Sequence, residues 1–251
     1  LLKAFYHHCK DVPGFRVNMD YTLGGGFYGY LSGDVKITKE LLEKVKASML
    51  EYAEKKMPIM KRSVSTEDAR ALFREVGMHS KEELFRYRMT SRVNIYSLGN
   101  FQDYFYGYML QNTSYVTLFD LLPYGDGFIL LLPTPEKPKE LPEFHPMDKL
   151  YKVQKESSVW AKKVGIGDIG ALNKQIVQGD TDSLILMQEA YFEKQIGNIA
   201  MSIFKEKKRV VLIAGPWSCL TRICFLFFPE KGWSFPVTIS SQGKESIREI
   251  I

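Results

Sequence analysis

At 251 residues, with 45% hydrophobic and 25% charged residues, the chain has ordinary globular proportions and can bury one large core or two of moderate size. Its formal net charge of +5 permits an anionic ligand but is spread along the chain, so it does not demand nucleic acid. Cys9, Cys219 and Cys224 lack metal-ligand spacing and leave an odd thiol, which argues against a disulfide framework and for a reducing cytoplasm; no apolar run reaches the ~18–20 residues of a membrane span.

The chain opens on Leu1 in mid-pattern, as a segment cut from something longer would. Residues 1–14 read as the end of a helix stopped by Pro13-Gly14. Phe15–Asn18 and Phe27–Leu31 read as short strands around Gly24-Gly25-Gly26, a tight turn or a close backbone approach. Thr38 caps a helix running to about Lys56, with Leu41, Leu42, Val45, Met49 and Tyr52 at helical spacing and Pro58 as its stop. A strand near Ile59–Ser63 leads into the Ser65 cap with Asp68, and Ala69, Leu72, Phe73 and Val76 form one helix face. Ser80 with Glu83 predicts a further capping box and a short helix to Arg88. Val93–Leu98, Tyr115–Leu121 and Phe128–Leu132 are strand-like, the last two joined by the turn Pro123-Tyr-Gly-Asp-Gly127. The reading for 1–132 is therefore an α+β domain, an antiparallel sheet with helices laid across it. The aromatic run Phe101, Tyr104, Phe105, Tyr106, Tyr108 and Tyr115 reads as packing on that sheet, because no basic residues are interleaved with it.

Five prolines between Pro133 and Pro146 make 133–147 a linker or a surface strap, and the best domain boundary. A helical connector spans 148–208, with helices over about Asp148–Lys163, Ile169–Gln178 and Asp182–Lys205. Arg209 to Ala214 then reads as a buried strand that ends at Gly215-Pro216, the way a phosphate-binding loop begins. Such a loop needs a second Gly, then Lys, then Ser or Thr, and this chain has Leu220, Thr221 and Arg222 there. After Gly215 the composition changes, with Trp217, Cys219, Cys224, Phe225, Phe227, Phe228 and Trp233 crowded together without a helical stripe, as a shifted reading frame would produce. Phe235–Ser240 reads as a second buried strand and Glu245–Ile251 as a short helix, so 209–251 is an incomplete α/β P-loop segment.

Two resemblances rest on these residues. Pro13-Gly14, Gly26-Phe27-Tyr28, Lys56-Met57-Pro58-Ile59, the Ser65–Phe73 helix and Gly99-Asn-Phe-Gln-Asp103 make residues 5–132 resemble the second N-terminal, editing-type domain of threonyl-tRNA synthetase. Trp160-Ala-Lys, Gly170-Ala-Leu-Asn173, the long 182–205 helix and Val210–Pro216 make 148–216 resemble the lead into the kinase domain of bacterial uridine kinase-like nucleoside kinases. The first resemblance implies a hydrolytic pocket with a Cys and a His four residues later, but this chain carries Phe105 and Met109 there, and the upstream histidine pair is reduced to adjacent His7 and His8. Only Asp103 keeps an acidic position of that pocket, so His7, His8, Asp103, Phe105 and Met109 would form a vestigial site without metal or catalytic residue. The second resemblance implies phosphoryl transfer from ATP, with Mg²⁺, to a pyrimidine nucleoside, a degenerate loop of Gly215, Pro216 and Ser218 being all that remains to hold nucleotide. Loss of the Lys and of the Mg²⁺-binding hydroxyl predicts an inactive kinase. The alternative is a non-catalytic module that holds a small ligand, an RNA end or a partner subunit. Among partners, tRNA ranks behind a nucleotide or nucleoside, no membrane is implied, and an uncovered sheet edge predicts a homo-oligomer.

Overall fold

Hairpins with glycine turns set the architecture. Helix α1 (Leu2–Cys9) leads into strands β1 (Arg16–Leu23) and β2 (Gly26–Ser32), then helix α2 (Lys39–Glu54). Strand β3 (Ile59–Ser65), helices α3 (Thr66–Glu75) and α4 (His79–Arg86), and strands β4 (Arg92–Leu98), β5 (Phe101–Tyr104), β6 (Asp120–Tyr124) and β7 (Gly127–Leu131) follow. This is the computed structural model of the chain, and it describes residues 1–206, 235–241 and 244–250. Pairing is antiparallel throughout: a four-stranded sheet β1-β2-β7-β6 and a three-stranded sheet β3-β4-β5. The domain is α+β, as its alternating strands and amphipathic helices imply.

Period-two alternation divides the four-stranded sheet into two faces. Leu121, Phe128 and Leu130 point to one core with Phe5 of α1 and Leu42, Val45 and Met49 of α2. The Phe5 and Phe128 rings lie 4.9 Å apart at its centre. Ile129 and Leu131 point the other way, to Leu23 and Tyr28. The β1–β2 turn needs glycine twice over: Gly24 has φ +58°, and a Cβ on it would meet the His145 carbonyl oxygen at 2.2 Å. That contact belongs to the proline-rich segment, which straps the sheet through Leu141 and Phe144.

Local capping explains the starts of α2 and α3. Thr38 accepts from the Leu41 amide and Ser65 from the Asp68 amide, as their spacing predicts. The expected Ser80 capping box does not form. Gly77, at φ +73°, turns the chain so tightly after α3 that the Met78 carbonyl already accepts from the Lys81 and Glu82 amides, which places Ser80 inside the helix and ends it at Arg86. The strand expected at Tyr115–Leu121 is also corrected. Asn112 caps a 3₁₀ turn at Thr113–Tyr115, and the strand starts only at Asp120, where Leu121 reaches the core. Strand β5 had no sequence expectation; it is four residues long and pairs through the Gly99-Asn100 turn.

The first compact unit, Leu1–Gln178, runs on beyond the strap. It includes helices α5 (Asp148–Lys163) and α6 (Ile169–Gln178), at the bounds the periodicity predicts. Gly170 lets α6 approach α4 closely, since a Cβ there would meet the Leu84 amide nitrogen at 2.8 Å. The second unit, Gly179–Ile251, contains helix α7 (Thr181–Glu206) and an antiparallel hairpin of β8 (Phe235–Ser241) and β9 (Lys244–Ile250). The short helix expected at Glu245–Ile251 is therefore a strand. Cross-strand pairing with Val237, Thr238 and Ile239 overrides the helix-like spacing of Ile247 and Ile250. The strand expected at 209–214 lies outside the described residues, and no described helix is long and apolar enough to cross a membrane.

Candidate functional site

Directly opposed residues of an antiparallel ladder share a face, so register alone gathers a row of side chains on the three-stranded sheet. Lys61 opposes Tyr96, and Tyr96 opposes Asp103. Asp103 is 1% exposed. Its Oδ1 accepts from the amide of Tyr104 at 2.7 Å and from the ammonium of Lys81, which α4 extends toward it. A buried carboxylate held by one ammonium and one amide is built into the sheet as a structural anion.

Helix α1 covers the same end of the sheet. Tyr6 packs on Phe101 with ring centroids 5.4 Å apart, and Lys3 donates to Asn100 Oδ1 at 2.7 Å. Burial raises the Tyr6 phenol above its ordinary value and the Asp103 charge adds to the rise, while Arg16 opposes it. Tyr6 is thus the α1 residue whose ring senses Asp103. His8 turns instead to α2, where Nε2 lies 2.9 Å from Ser48 Oγ and 3.2 Å from the Lys44 carbonyl, and His7 is exposed beside it with ring centroids 5.0 Å apart. Asp103 and the histidines have separate partners.

Phe105 and Met109 lie in the loop that leaves β5 and crosses back to β3. The loop is pinned at three points: Tyr96 OH donates to the Gly107 carbonyl at 2.8 Å, the Ile59 amide donates to the Gln111 carbonyl at 2.8 Å, and the Thr113 amide to the Met57 carbonyl at 3.0 Å. Phe105 is half-buried, whereas Met109 is 40% exposed. The aromatic run expected to pack on the sheet separates into two groups. Phe101 and Tyr104 do pack, Tyr104 edge-on to Phe85 at 4.9 Å. Tyr106 and Tyr108 are 91% and 95% exposed, and Tyr115 is exposed too. The loop anchors its backbone and leaves these rings in water. The basic partner missing from the linear sequence arrives from β3, because the Lys61 ammonium lies 5.3 Å from the Tyr108 ring centroid.

Lys61, Tyr96 and Lys81 had no place in the sequence reading. The Gly99-Asn100 turn was the signal that could have found Tyr96, since it sets the β4–β5 register. Lys61 and Lys81 come from distant elements, and only the folded sheet identifies them. Gly215, Pro216 and Ser218 lie outside the described residues. Among the described residues no group of three His, Cys, Asp or Glu side chains could hold a metal ion.

No protein-family model matches this chain. It is similar to the threonine–tRNA ligase of Geobacter sp. strain M21, 35% identical over 109 residues, which are 43% of this chain and 17% of the ligase. The ligases of Syntrophotalea carbinolica and Pelobacter propionicus are 33% and 34% identical over 120 and 116 residues, each covering 46% of this chain and 18% of the relative. The chain thus contains a threonyl-tRNA synthetase-like domain and spans less than a fifth of the length of these curated relatives. They lend no support to the uridine kinase resemblance of 148–216.

Proposed function

We propose that the synthetase-like domain is a non-catalytic binding module, derived from an editing domain, that holds the unpaired end of an RNA. One observation carries this reading: the loop in which the resemblance expects a Cys and a His instead presents exposed Tyr106 and Tyr108, with the Lys61 ammonium against Tyr108. Exposed rings with a neighbouring cation suit single-stranded nucleic acid, since bases stack on the rings and the ammonium neutralises phosphate. Ester hydrolysis needs a base or nucleophile at the reacting carbon, and neither Phe105 nor Met109 can serve. Asp103 is engaged by Lys81 and by the Tyr104 amide.

Fluorescence anisotropy with a tRNA carrying its 3′ single strand, and with one trimmed to the duplex, tests the proposal. The intact end is expected to bind more tightly, with affinity falling steeply as salt rises. Equal affinity for both, or none for either, overturns it. The Val210–Pro216 sequence favours one other reading, a remnant of ATP- and Mg²⁺-dependent phosphorylation of a pyrimidine nucleoside. Without the loop lysine and the metal-binding hydroxyl, the purified chain is expected to leave uridine unphosphorylated, and turnover with ATP would establish the kinase reading.

A further inference from the structure

The outer face of the four-stranded sheet carries a second site, independent of the RNA-binding loop. Helix α5 crosses this face and is tied to it at one end. Tyr124 OH donates to Asp148 Oδ1 at 2.6 Å, the Asp126 amide donates to Tyr151 OH at 3.0 Å, and Lys155 pairs with Asp126. Tyr151 sits directly over Gly125, where a Cβ would come within 2.3 Å of its ring. Despite these ties, none of the helix's sixteen residues is fully buried. A groove of about 210 Å³ lies between helix and sheet, lined by Tyr21, Tyr28, Tyr30, Ser158, Val159 and Lys162 among others.

Its floor is aromatic and ordered. Tyr21 stacks on Tyr28 with centroids 5.1 Å apart at 22°, and Tyr28 meets Tyr151 edge-on at 5.4 Å. The Tyr21 and Tyr28 phenols stay protonated and able to donate. Burial first, then the Asp20 charge, pushes Tyr21 up to about 12, and burial with a hydrogen bond to Tyr151 raises Tyr28 further. At the rim the cations differ. Lys155 is neutralised by Asp126, whereas the Lys162 ammonium rests on the Tyr30 ring, 5.1 Å from its centroid and 3.5 Å from its hydroxyl. A cation held by a π face keeps its charge for an incoming anion. The one other acid lining the groove, Asp20, is exposed on β1.

We propose that this groove binds a small planar aromatic anion, its ring stacked on the tyrosines and its negative group on Lys162 and the Ser158 hydroxyl. Size agrees with the chemistry. The groove exceeds the roughly 150 Å³ that accepts benzene and falls below the roughly 300 Å³ at which sites for larger molecules begin, so it takes one or two fused rings. The charged group projects past the rim to Lys162. Two sources share this chemistry, a nucleoside monophosphate and an aromatic carboxylate.

Calorimetric titration of the whole chain with AMP and with indole-3-carboxylate, each beside its neutral counterpart adenosine or indole, tests the site. At least one anion is expected to saturate at millimolar concentration or below, and to bind roughly tenfold more tightly than its neutral counterpart. Binding of AMP alone identifies the ligand as a nucleotide, and binding of indole-3-carboxylate alone as an aromatic acid. Lys162→Met is expected to remove that preference with an unchanged melting temperature, and Lys162→Arg to keep it. Failure of both anions to bind, equal binding of charged and neutral rings, or an anion preference that survives Lys162→Met overturns the proposal. Because α5 lies outside the RNA-binding loop, failure here leaves the RNA titration unaffected.

Discussion

The two sheets of the first unit spend their aromatic residues differently. In the four-stranded sheet Phe128 is fully buried against Phe5, and alternation sends almost every apolar side chain to one of two cores. The three-stranded sheet buries Val93 and Ile95 on one face, yet the loop at its end leaves Tyr106 and Tyr108 in solvent. Aromatic rings held in water by a pinned backbone add nothing to the core, and the proposed RNA binding rests on them. The first sheet keeps its phenylalanine inside, and the second leaves the tyrosines of its terminal loop in water.

Substitutions in the two regions should therefore separate stability from binding. Phe128→Ala empties the centre of the main core and is expected to cost about 3–5 kcal/mol in urea unfolding. Asp103→Ala lies between the two extremes. It strips the Lys81 ammonium and the Tyr104 amide of their acceptor and is expected to cost about 1–3 kcal/mol. Tyr106→Ala and Tyr108→Ala are expected to weaken RNA binding by about 1–3 kcal/mol each and to change unfolding by less than about 0.5 kcal/mol. If they unfold the domain as Phe128→Ala does, the contrast between the sheets disappears.

The smallest effect comes from the tyrosine-lined face. Tyr21 has a folded-state value of about 12 against an ordinary 10.0, so the folded chain holds this proton more tightly than the unfolded one. Its contribution is fully present below pH 10 and is lost as pH rises through about 12. Alkaline titration followed by tyrosinate absorbance and circular dichroism should show unfolding steepen across that window, and Tyr21→Phe should flatten it.

Much of the scaffold was legible before folding was considered. The Thr38 and Ser65 caps, the bounds of α5 and α6, and the Gly24 turn follow from local chemistry and periodicity. What failed lay in turn geometry and in strand pairing. Ser80 lost its capping role to a turn set by Gly77, Tyr115 went into a 3₁₀ turn clamped by Asn112, and Glu245–Ile250 joined a strand because a partner strand was available. The site was legible only as a contradiction. At Phe105 and Met109 the sequence departs from the Cys and His that the resemblance expects, but the cation beside the exposed Tyr108 is Lys61, more than forty residues upstream.

The lifetime of an aminoacyl ester on the 3′ end of a tRNA, measured with the chain in excess and with complex formation followed in the same sample, probes that reading at its root. Complex formation with an ester lifetime equal to or longer than that of the free RNA is the predicted result. Accelerated deacylation in the complex would contradict it, because it would require a catalytic group that Phe105, Met109 and the paired Asp103 do not supply.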